Sequence, residues 1–90
     1  MLFRSSHEDL SGANLSGVDL SYADLSFSNL SNSDLSYADL YGANLEGASF
    51  FSADLTAVRL TNAKLNNVDF TDAKLDDVDI GCAGAKLIPD

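Results

Sequence analysis

The sequence predicts a solenoid, a single ribbon wound into stacked coils, and three observations predict it. A large apolar residue closes every block of five from Leu10 to Ile80. Two places before each closing residue, from Ala13 to Val78, stand only Ala, Val or Ser. Directly before it stands Asp or Asn in eleven of the fifteen blocks. Neither regular element accommodates this spacing. At about 100° per residue, positions five apart on an α-helix step round by roughly 140° and never share a face. On a strand, an odd spacing sends successive leucines to opposite sides. The closing residues share one environment only if the chain turns once per block, so that each block is one short side of a coil with its last side chain inward. Self-similarity of this kind marks a solenoid.

Taken in order, residues 1–9 read as an N-terminal cap. Leu2 and Phe3 are expected to fold over the first coil, and Glu8 fills a slot that is small elsewhere, so regular winding is expected to start after it. Arg4, His7, Glu8 and Asp9 crowd this segment, which is not the pattern of a signal peptide. Residues 10–80 carry the repeats. Leu15, Leu25, Leu35, Leu45, Phe50, Leu55, Leu65, Phe70 and Leu75 are expected to form the core ladder, flanked by the small inward residues. Asp and Asn bond to nearby backbone and tolerate turn conformations, so their slot bends the chain and faces water. The other two positions of each block read as outward. Residues 81–90 read as a C-terminal cap, because Ala85-Lys86-Leu87 repeats the triplet two residues late. Leu87 and Ile88 are expected to cover the last coil or to meet a second copy of it.

The triplets Ala23-Asp24-Leu25, Ala38-Asp39-Leu40, Ala43-Asn44-Leu45 and Ala53-Asp54-Leu55 resemble those of the pentapeptide repeat proteins. The resemblance implies an all-β fold, a right-handed quadrilateral β-helix in which four blocks, twenty residues, make one coil. About four coils would follow, forming a rod on the order of 18–20 Å long at about 4.8 Å per coil. Phe50 and Phe70, twenty apart, would stack directly.

Fourteen acids against five bases give a formal charge of −9. That balance argues against direct nucleic-acid binding and against anionic membranes. No apolar run approaches the roughly 18 residues of a membrane span. Cys82 is the only cysteine, so it forms no internal disulfide, and a reducing, cytoplasmic setting is the expectation.

The twenty-residue coil also predicts columns of outward residues, among them Asp39-Arg59-Asp79 and Asn14-Asp34-Asp54-Lys74. Asp72, Asp76, Asp77 and Asp79 cluster in sequence, but outward ladder positions diverge, whereas a hard cation needs six or more convergent oxygens. No metal or other cofactor is expected. His7 is the one histidine and lies outside the repeat, so no base–nucleophile pair can be assembled, and the regular serines are structural. No catalytic residue is expected, and the chain reads as non-enzymatic. Tyr22, Phe27, Tyr37, Tyr41 and Phe51 fall in outward slots, with Tyr22 and Tyr41 side by side in adjacent coils. Tyr22, Phe27 and Tyr41 are the candidate contact residues for a protein partner. An open coil end invites a homodimer. The expected function is an interaction or scaffold module. The resemblance supplies an alternative, an acidic DNA mimic that inhibits or protects a type II topoisomerase such as gyrase.

Overall fold

The computed structural model describes residues 6–81. Eleven parallel bridges join residues twenty apart, from Asp9 with Asn29 to Arg59 with Asp79. Each turn therefore takes four blocks and has four sides. One residue per side pairs with the turns above and below, because a corner follows every fifth residue and leaves no room for a longer strand.

The block Ser36–Leu40 shows why the sequence winds this way. Asp39 N–H donates to Val18 O (3.0 Å) in the turn before, and Leu40 N–H donates to Arg59 O (2.8 Å) in the turn after. Tyr37 N–H donates along the axis to Thr56 O (2.8 Å), and Ala38 N–H closes the corner on Leu35 O (3.0 Å). The remaining N–H, that of Ser36, donates to Asp34 Oδ1 (3.0 Å). All five backbone donors of the block are satisfied, four by backbone and one by the Asp/Asn slot. This is the physical reason for Asp or Asn before the closing residue. The same Asx bond recurs from Ser11 on Asp9 to Gly81 on Asp79.

Each corner is a β-turn whose third residue, the second of the block, has φ between 58° and 72°. Positive φ occurs at every such position from His7 to Asp77, which is the requirement of a type II turn.

Inside, Leu20, Leu25, Leu30, Leu35, Leu40, Leu45, Phe50, Leu55 and Leu60 are buried, with Ala23, Ala38, Ala43, Ala48, Ala53 and Val58 beside them. Burial of each large side chain contributes roughly 1.5–3 kcal/mol. Ser28 and Ser33 occupy small inward slots without leaving a polar atom unmatched, since Ser28 Oγ accepts from Glu8 N–H (3.1 Å) and Ser33 Oγ–H donates to Leu30 O (2.6 Å). Of the expected ladder, Leu25, Leu35, Leu45, Phe50 and Leu55 are buried, whereas Leu15, Leu65, Phe70 and Leu75, nearer the ends, are partly covered. The Phe50 and Phe70 rings stack as expected, 5.8 Å apart and 7° from parallel.

Two expectations are corrected. Winding does not begin after Glu8: His7 N–H donates to Ser26 O (2.9 Å) and Asn29 N–H to Glu8 O (2.8 Å), the ladder bonds of a regular block. Backbone pairing, not the side chain at the small slot, decides where the coil starts. Nor do the described residues form a rod, since their extents of 28 × 25 × 23 Å make a squat prism about as wide as it is tall. The expected caps, with Leu2, Phe3, Cys82, Leu87 and Ile88, lie outside the described residues.

Candidate interaction surface

Three slots of each block face outward, and each has its own chemistry. The Asp/Asn slot forms axial columns. Asp39, Arg59 and Asp79 stack as expected, as do Asn14, Asp34, Asp54 and Lys74, and Asp19 extends the first column below Asp39. These carboxylates also accept from the hydroxyl two residues on: Ser21 Oγ donates to Asp19 (2.7 Å), Ser26 to Asp24 (2.7 Å) and Thr56 to Asp54 (2.6 Å). The hydroxyl and the adjacent amide hold Asp9, Asp24, Asp54 and Asp69 below the usual carboxylate range, and Asp19 down to about 2. The hydroxyls of Ser11, Ser21, Ser26, Ser31 and Ser36 are thereby committed to the corners as hydrogen-bond donors.

The positive-φ slot carries a conformational cost for any residue with a Cβ, about 1–2 kcal/mol. Asn and Asp tolerate it best, and Asn32, Asn62, Asn67, Asp72 and Asp77 follow that preference. Tyr22, Phe27 and Tyr37 do not, with φ of 61°, 58° and 63°. Packing offsets only part of the cost, because Tyr22 is 62% exposed, Phe27 53% and Tyr37 69%. All three sit at corners of a single turn.

Of the candidate contact residues, the structure brings Tyr22 and Tyr41 together, their rings 5.6 Å apart at 71°. Phe27 stands at the next corner and stacks on His7 instead, at 5.3 Å and 18°. Tyr41 is half-buried. Arg59 lies 4.5 Å over its ring and pairs with Asp39 (3.4 Å), while Asn62 Nδ2 donates to the Tyr41 hydroxyl (3.0 Å). Lys64 reaches Glu46 at 3.9 Å.

The Tyr22 ring lies over Gly42 and the Phe27 ring over Gly47. A Cβ on Gly42 would stand 2.7 Å from the Tyr22 ring, and one on Gly47 would collide with the Phe27 ring. The absence of a side chain one turn away is what lets each aromatic lie flat along the axis. His7, Arg59, Gly42 and Gly47 were not singled out from the sequence as parts of this surface. The signal that would have found the glycines is their spacing, each twenty residues after an outward aromatic. Among the described residues, no group of three His, Cys, Asp or Glu is placed to hold a metal ion, and no helix is long and apolar enough to cross a membrane.

The profile of the pentapeptide repeats matches eight copies, over residues 9–47 and 53–83. Among solved structures, a pentapeptide repeat protein from the thylakoid lumen of Arabidopsis thaliana is 43% identical with a TM-score of 0.74, over 76% of this chain and 47% of that one. A trypsin-treated form of QnrB1, a plasmid-mediated fluoroquinolone resistance protein, is 29% identical with a TM-score of 0.53, over 84% of this chain and 42% of that one. This chain thus spans 47% or less of the length of either structure. Curated protein sequences give no match. No catalytic family is indicated. With eight profile copies over most of its length and four-sided turns of five-residue blocks, the chain belongs to the pentapeptide repeat family, whose members form right-handed β-helices.

Proposed function

We propose that this chain is a non-enzymatic interaction module, about four coils of β-helix that present side chains at fixed spacing to a protein partner in the cytoplasm. The carrying observation is the set of three aromatic rings held more than half exposed at corners where a glycine or asparagine would cost less. Backbone strain that packing offsets only in part is a reason to look for function at that place. The mechanism is geometric: a hydrogen-bonded coil fixes its outer residues before the partner arrives, which lowers the entropy cost of association. Affinity capture with the intact chain and with the Tyr22→Gly/Phe27→Gly variant tests it. A partner retained by the first and lost by the second is the expected result; identical partner sets overturn the reading.

A second reading, an acidic DNA mimic directed at a type II topoisomerase, is favoured by the charge of −9 and by the similarity to QnrB1. Against it, a longest extent of 28 Å covers about eight base pairs at about 3.4 Å each. Lys64 and Lys74 also interrupt the acidic columns. A salt-sensitive inhibition of gyrase supercoiling would support the mimic, and its absence at low salt would remove it.

A further inference from the structure

We propose that the side of the β-helix between the Tyr22 and Phe27 corners is a docking face for an extended basic segment of a partner protein, whose arginine or lysine side chains stack on the two rings. The proposal rests on the interaction-module reading and supplies its partner chemistry.

Four observations carry it. First, Tyr22 and Phe27 are five residues apart at successive corners of one turn, so their rings border a single side of the prism. Second, Gly42 and Gly47 in the next turn leave room for both rings to lie along the axis over them. Third, the surface already shows how it receives a cation: the Arg59 guanidinium sits 4.5 Å over the Tyr41 ring with Asp39 at 3.4 Å. Ring face plus carboxylate is the arrangement that attracts an arginine or lysine. Fourth, the charges favour an incoming cation. Asp24 stands between the two corners in one column with Asn44 and Lys64; Lys64 is matched by Glu46, Arg59 on the neighbouring side is matched by Asp39, and His7 covers one face of Phe27, in a molecule of charge −9. A cationic partner is steered toward such a surface, and an anionic one is repelled.

The test uses the whole chain and a synthetic peptide of alternating arginine and glycine, with the matching glutamate–glycine peptide as control. Amide shifts are followed by NMR at two salt concentrations. The expected result is that the arginine peptide perturbs residues 22–27 and 42–47 most. The Tyr22→Gly/Phe27→Gly variant should bind at least tenfold more weakly, and Tyr37→Gly, which removes a still more exposed ring at another corner, within twofold of the parent. Glycine fits the φ of all three positions, and thermal melts of each variant confirm that the fold is kept. Shifts spread evenly over the acidic columns, or equal affinities for all three proteins, would reduce the effect to general charge attraction and overturn the proposal. A partner captured through Tyr22 and Phe27 that is itself acidic or neutral would leave the interaction module standing while refuting the basic segment.

Discussion

Replacing Gly42 by alanine probes the ring-over-glycine geometry. The new Cβ meets two costs. One is the left-handed conformation, φ 66°, which for a residue with a Cβ amounts to about 1–2 kcal/mol. The other is the Tyr22 ring, whose nearest carbons would be 2.7 and 2.8 Å away. That ring is exposed and can swing aside, at a rotamer cost of about 0.5–1.5 kcal/mol. It would also give up its edge contact with Tyr41, about 0.5–1.5 kcal/mol. Gly42→Ala is therefore expected to destabilise by about 2–5 kcal/mol. In a Tyr22→Gly background the same change should cost only the backbone strain, about 1–2 kcal/mol, leaving a coupling of about 1–3 kcal/mol in a double-mutant cycle read by urea denaturation. Gly12 supplies an internal control: its φ is 72° and a Cβ there meets nothing within 4 Å. A Gly42→Ala cost equal to that of Gly12→Ala, with no coupling to Tyr22, would refute the placement of the ring.

Leu40→Ala empties a fully buried site in the middle of the stack and should cost about 2–5 kcal/mol in chemical denaturation, whereas Leu75→Ala, partly covered, should cost clearly less. Carboxylates whose pKa is lower in the folded chain add stability that is complete above the unfolded value, about 3.9, and is lost as pH falls through the folded one. Melting temperature should therefore drop below about pH 4, and removing the hydroxyl donors by Ser26→Ala and Thr56→Val should flatten that drop relative to the parent; an unchanged acid limb would exclude the hydroxyls as its cause. Arg59→Asp places a fourth carboxylate in the column of Asp19, Asp39 and Asp79 and removes the cation over Tyr41, so melting temperature should fall, more at low than at high salt; no change at low salt would contradict the column.

The fold was legible because every fifth residue repeats the same physical requirement. Leu25, Leu35 and Leu45 share one environment, so their spacing could be read without knowing any contact. The column partners followed from the twenty-residue turn that the family resemblance supplied. Asp19 was overlooked although it obeys the same rule. The left-handed corners were not legible, because Tyr22, Phe27 and Tyr37 stand where chemistry favours glycine or asparagine and nothing in a side chain's identity announces a positive φ. The surface was half legible for a related reason: outwardness is local and periodic, but whether Phe27 meets His7 or Tyr41 depends on the neighbouring turns. The start of the winding was misjudged at Glu8 because its slot was read by side-chain size, while the coil is closed by backbone bonds that any residue can make.

Two-dimensional NOE spectra of methyl-labelled protein test the winding itself. Contacts joining Leu20 to Leu40 to Leu60, and Leu25 to Leu45, together with ring contacts between Phe50 and Phe70, are the result expected of a twenty-residue turn with every closing residue inside. Leucine contacts confined to neighbours three or four apart in sequence, or leucine methyls that respond to a soluble paramagnetic agent as surface groups do, would contradict it.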